Sequence, residues 1–179
     1  MRNVSIAIVA MSLSACAANG LPYPEHPASS VVLQGDAKVT IFRENDTLLY
    51  SARSARLVID GEREGGLATG GFRTFKVQPG LHVFTVKMSD MPGTCELTAD
   101  IQPDVEYFYR VTPRAESLAA SMPGALFATS PAGVLFGAGF STAAQAAESS
   151  GKQCGGAFSI VPIEPANALP KVATLRASS

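Results

Sequence analysis

"LVIDGEREGGLATGGFRTFKVQPGLHVFTVK", residues 57–87, decides the fold class of this chain. "RLVID" is a short β-like run that stops at Gly61, a turn residue. "EREGGLATGG" carries glycine pairs on both sides of Leu67 and Ala68, which predicts a tight or bulged hairpin. "FRTFKV" ends at Gln78-Pro79-Gly80, where Pro79 and Gly80 suit the central positions of a type II turn. "LHVFTVKM" then alternates and puts His82, Phe84, Val86 and Met88 on one face.

The same rhythm extends on both sides. Upstream, "AKVTIFR" alternates with Val39 and Ile41 on one face. Downstream, a turn at residues 90–93 leads to "CELTADI", with Cys95, Leu97, Ala99 and Ile101 inward. After Pro103-Asp104, "VEYFYRV" places Val105, Tyr107, Tyr109 and Val111 together, and "GGAFSIVPI" supplies a last strand with Phe158 and Ile160 on one side. About seven strands of this length, punctuated by turns, predict a mainly β chain folded as a small antiparallel β-sandwich.

These residues also carry a family resemblance. Asp60-Gly61, Gly66-Leu67, Phe72, the run from Val77 to His82 and the run from Tyr107 to Tyr109 resemble the pattern of the lipoprotein family called domain of unknown function 2846. The likeness covers residues 37–113, with a looser echo over 156–169. It implies a small β-sandwich on a bacterial lipoprotein and brings no catalytic residues with it.

The first residues point the same way. Met1-Arg2-Asn3 is a minimal positive segment, and a short apolar run follows it to Leu13-Ser14-Ala15-Cys16. Crossing a bilayer takes about 20 apolar residues. This run is too short for that and reads as a cleaved signal peptide over 1–15. The tetrad resembles the bacterial lipobox, so Cys16 is the expected lipidation site, with a thioether-linked diacylglycerol and an N-linked acyl chain. The competing reading is an ordinary secretory signal with a cysteine at that place by chance. Ala17 is not Asp, so by the sorting rule of Gram-negative lipoproteins the expected address is the periplasmic face of the outer membrane. Residues 16–36 hold Pro22, Pro24 and Pro27 and read as a flexible tether, with His26 inert inside it.

Export implies an oxidising compartment, where Cys95 and Cys154 are an expected disulfide. Two separate buried thiols are the alternative. The expected sandwich domain spans 37–164, with an Ala/Gly-rich insertion at 115–152 and a C-terminal tail at 165–179. No charge occurs between Glu116 and Glu148. Pro123, Pro131 and several hydroxyl residues interrupt the stretch, which argues against a spanning helix. Within it, Gly133, Gly137 and Ser141 recur every four residues and form a small-residue ridge. That ridge either packs on the sandwich or forms an interaction face for a partner or the membrane interface.

The formal net charge of −1 argues against a nucleic-acid binder, which usually displays a basic stripe. No metal site and no cofactor motif are read from the chain. His82 lies in line with Phe84 and Val86, and so reads as a core or turn-stabilising histidine rather than a general base. Asp60, Glu62 and Glu64 read as solvated carboxylates beside a turn. The expected function is therefore a non-catalytic binding module, anchored to the membrane through Cys16 and facing an envelope protein or glycan. The alternatives are a carboxylate-based envelope enzyme, or an inhibitor of a wall-degrading enzyme.

Overall fold

Asp60 and Gly61 take φ of 50° and 86°. A two-residue hairpin turn of primed type needs that left-handed pair, and here it joins β2 (Ala55–Ile59) to β3 (Glu62–Leu67). The computed structural model describes residues 17–27, 34–45, 48–114 and 153–178. Its other strands are β1 (Ala37–Arg43), β4 (Gly71–Val77), β5 (Gly80–Lys87), β6 (Thr94–Ile101), β7 (Glu106–Pro113), β8 (Gln153–Cys154), β9 (Phe158–Ile163) and β10 (Arg176–Ala177). One helix, α1 (Pro165–Val172), lies between β9 and β10.

The strands form two five-stranded sheets, ordered β10-β4-β1-β7-β9 and β3-β2-β5-β6-β8. The chain is a β-sandwich, with ten strands among the described residues where the sequence suggested about seven. β1 pairs antiparallel with β4 (Ile41 opposite Arg73) and parallel with β7 (Ile41 opposite Tyr109). The parallel pairing follows from the route, because the chain visits the other sheet between β1 and β7. The inner faces bury Val39, Ile41, Leu57, Phe84, Val86, Leu97, Val111, Phe158 and Ile160 in one core. Each such side chain stabilises the fold by about 1.5–3 kcal/mol relative to exposure.

Four expectations need correction. "EREGGLATGG" is not one hairpin: Asp60-Gly61 makes the turn, and residues 68–70 carry the chain across to the other sheet. The pairing of β2 with β3 shifts register between Leu57 and Val58, which leaves a bulge opposite them. Gln78-Pro79-Gly80 also crosses between sheets, as a bend with Gly80 at φ 133°, and not as a hydrogen-bonded turn. The stretch read as a flexible tether is built into the fold over residues 17–27. Tyr23 is buried there, in the 3-10 turn Tyr23–Glu25. The stretch read as a tail holds α1 and β10, with Ala168, Val172 and Leu175 buried.

The last two corrections share one cause. β1 is buried at every residue, because its sheet has a core on each face. On the outer face Phe42, Phe72 and Phe108 project away from the sandwich interior, and Tyr23, Ala168, Val172 and Leu175 cover them. Three aromatic rings on one outer face leave too much apolar surface to stand in water, and the two chain ends shield it. Phe108 therefore takes a burial as deep as that of Tyr109, while Val105 is 39% exposed.

Candidate functional site

The sandwich has two ends, and both gather polar chemistry. At one end Ala17 bridges to Thr69, and the Ala18 amide donates to the Thr69 carbonyl at 3.2 Å. The Gly20 amide donates to Ala177 at 3.1 Å, and the Tyr23 amide to Leu175 at 3.3 Å. Residues 17–23 thus run as an added edge beside β10. The Tyr23 side chain reaches from this edge toward the opposite end of the sheet, where its hydroxyl donates to Glu106 at 2.9 Å and Glu106 holds Lys38 at 2.8 Å. Burial raises the Tyr23 pKa, and the Glu106 carboxylate adds to the rise. Burial alone would lower that of Lys38, but its hydrogen bond to Glu106 and the neighbouring Tyr23 carry it upward.

A groove of about 430 Å³ opens at the Thr69 end, lined by Ala17, Ala18, Glu44, Asn45, Thr69 and Arg176 among others. Glu44 accepts from Lys171 at 2.6 Å and from Arg110 at 3.2 Å, which ties α1 to the sheet. Both of its oxygens are taken up by these two cations, so it acts as a structural clamp. Arg43, 1% exposed, shapes the adjoining loop. Its guanidinium donates to the carbonyls of Arg53 and Tyr50, and lies over the Phe158 ring at 4.7 Å.

At the opposite end His82 stands between two acceptors. Nδ1 lies 2.6 Å from Asp60 Oδ2, and Nε2 lies 2.8 Å from the Gln78 carbonyl. A carbonyl only accepts, and so does an ionised carboxylate, so both ring nitrogens are best satisfied as donors. The pKa of His82 is raised, first by the Asp60 hydrogen bond. That of Asp60 is lowered, first by the Val83 amide at 2.8 Å and then by His82. The ring fastens the Asp60-Gly61 turn to the bend after β4. This is the turn-stabilising role read from the sequence, and it leaves no ring nitrogen to act as a base.

Cys95 and Cys154 are brought together. They face each other across β6 and β8 and form a disulfide. Arg114 donates to the Cys154 carbonyl beside it. Cys16, Gly133, Gly137 and Ser141 lie outside the described residues. The His26 ring meets Phe72 edge-on at 5.3 Å. Among the described residues no three His, Cys, Asp or Glu side chains gather as a metal site. No helix among them is long and apolar enough to cross a membrane. Sequence reasoning missed the Tyr23–Glu106–Lys38 set, whose only signal was one tyrosine among prolines. Compared with known proteins, the chain matches no family model and no curated protein.

Proposed function

We propose that this chain is a lipoprotein of the bacterial envelope, of the kind it resembles in residues 37–113. Acyl chains on Cys16 hold it at the periplasmic face of the outer membrane. There it acts as a non-catalytic module that binds an envelope protein or glycan. The observation that carries this reading is the tetrad Leu13-Ser14-Ala15-Cys16 at the end of a short apolar run. Several acyl chains, each contributing about 0.8 kcal/mol per buried methylene, give a stable anchor.

The fold supports the reading in two ways. A disulfide belongs to an oxidising compartment such as the periplasm. The His82 ring and the Glu44 carboxylate, partly enclosed ionisable groups at the two ends, are both committed to structural partners. A surface held at a membrane gains effective concentration toward any partner there. Radiolabelled palmitate fed to a Gram-negative host tests the anchor. The natural chain should take up label and sediment with membranes, and Cys16→Ser should do neither. Labelling that persists in Cys16→Ser would defeat the proposal.

A further inference from the structure

The two chain ends that cover the outer core are held in unequal ways. At the C-terminal end Ala168, Val172 and Leu175 are buried, and the Arg176 and Ser178 amides donate to the Gly70 and Phe72 carbonyls. At the N-terminal end residues 17–27 bury one side chain, Tyr23. Their backbone meets the rest of the protein along one edge. The Ala18 amide donates to Thr69, Gly20 to Ala177 and Tyr23 to Leu175, and the Ala177 amide returns a bond to the Leu21 carbonyl at 2.9 Å. Pro22, Pro24 and Pro27 have no N–H to add to such a ladder.

The seat is closely fitted. A Cβ placed on Gly20 would lie 2.6 Å from the Ala177 carbonyl oxygen and 2.8 Å from the Ala177 Cβ. The Tyr23 and His26 rings both meet Phe72 edge-on, at 5.2 and 5.3 Å. Tyr23 is the peg, with its ring buried and its hydroxyl on Glu106. A segment held by an edge ladder and one buried side chain belongs at the low end of a protein's local stabilities. Lifting it leaves the sandwich interior intact, because Val39, Ile41 and their neighbours form a separate core from Phe42, Phe72 and Phe108.

We propose that residues 17–27 are a strap that undocks as a unit while the sandwich, α1 and β10 stay folded. The docked state dominates and keeps the outer core closed. In the undocked state Phe72 loses two aromatic neighbours and the free edge of β10 opens. On the reading that Cys16 is acylated, on which this use of the strap rests, docking sets the distance between lipid and domain. Docked, the lipid-bearing residue is one peptide unit, about 3.8 Å, from Ala17 beside Thr69. Undocked, residues 17–33 span up to roughly 55 Å at about 3.3 Å each. Gly35 and Asp36 stay bonded to Asp104 and mark where the strap ends. The same module then acts either close to its anchor or well away from it.

Amide hydrogen exchange on the full acylated protein in detergent, with its acylation verified by mass, tests the strap. Along β10 the amides alternate in direction: Ala177 points to the strap, and Arg176 and Ser178 point to the other side. The amides of Ala18, Gly20, Tyr23 and Ala177 should exchange as one group, roughly tenfold or more faster than Arg176 and Ser178. Tyr23→Phe removes a bond to a charged group and should speed that group by about a further tenfold, with Arg176 and Ser178 unchanged. Gly20→Val cannot seat, and should strip the group of protection while the sandwich keeps its own. Exchange of the four amides no faster than Ser178, or at four unrelated rates, would overturn the strap. So would loss of protection throughout the sandwich in Gly20→Val. Grouped exchange in a chain whose mass shows no acyl group would overturn the control of reach and leave the strap standing, so the two failures are told apart.

Discussion

Tyr23 donates its hydroxyl proton to Glu106 across 2.9 Å, from a proline-rich stretch to the first residue of β7. Its ring meets Phe72 edge-on at 5.2 Å. The N-terminal stretch is therefore part of the outer core. Tyr23→Phe keeps the ring and removes a bond to a charged group, which should cost about 1.5 kcal/mol. Tyr23→Ala also opens the cover over Phe42 and Phe72 and should cost roughly 3 kcal/mol. Denaturant midpoints measure both. An unchanged midpoint for the alanine variant would show that residues 17–27 contribute nothing to the fold.

The Asp60–His82 bridge gives stability a pH window. The folded pKa of His82 is raised above 6.5, so its contribution is whole below that value and is lost as pH rises through the folded pKa. The folded pKa of Asp60 is lowered below 3.8, so its contribution is whole above that value and is lost as pH falls through the folded pKa. Both act together between the two ordinary values. An NMR titration should place the His82 imidazole above 6.5 in the natural chain and lower in Asp60→Asn. A natural value at or below 6.5 would contradict the bridge.

The disulfide links residues 59 apart in sequence. On the chain-entropy view, closing a loop of that length stabilises the fold by about 4 kcal/mol. Reduction should lower the unfolding free energy by that order. Thiol counting on the denatured, unreduced protein should find neither Cys95 nor Cys154 reactive. Two titratable thiols would refute the bridge.

Gly93 sits at φ 88° with its backbone against the Gly155 carbonyl. A Cβ at position 93 meets both an unfavourable φ and a carbonyl that belongs to the backbone. Gly93→Ala should cost roughly 3 kcal/mol, against little for Gly61→Asn, whose site is open and whose φ asparagine tolerates. Equal thermal stability for the two variants would deny the close approach.

The sandwich was legible because its signals are local. Alternation in residues 80–87 and 94–101 gives β5 and β6, Asp60-Gly61 turns the chain as its residue types demand, and the inward Cys95 finds Cys154 on the next strand. The outer core was not legible, because alternation reports only one face. Phe42, Phe72 and Phe108 fall at the positions that a sandwich normally gives to water, and their cover comes from the two distant chain ends. Proline hid both covers. Pro22 and Pro24 read as tether, and Pro165 and Pro170 read as a broken tail. Yet Pro165 stands at the first turn of α1, where the missing N–H costs nothing, and Ala168 and Val172 follow at i and i+4. That spacing was the available signal.

The His82 role was legible in kind but not in partner. The sequence put His82 in a strand beside a turn, but Asp60 reaches it only because β2 and β5 pair in register, and Gln78 only because the bend after β4 turns its carbonyl to the ring. The candidate anchor was legible from four residues, and its relation to the sandwich was not, since the hold on Ala17 is made by the distant Thr69.

The most direct measurement on the central claim is the intact mass of the mature protein extracted from the outer membrane. The account predicts a chain beginning at Cys16, heavier than its polypeptide by a diacylglyceryl group and one N-linked acyl chain. A mature chain that begins elsewhere, or that begins at Cys16 with a free thiol, would contradict it.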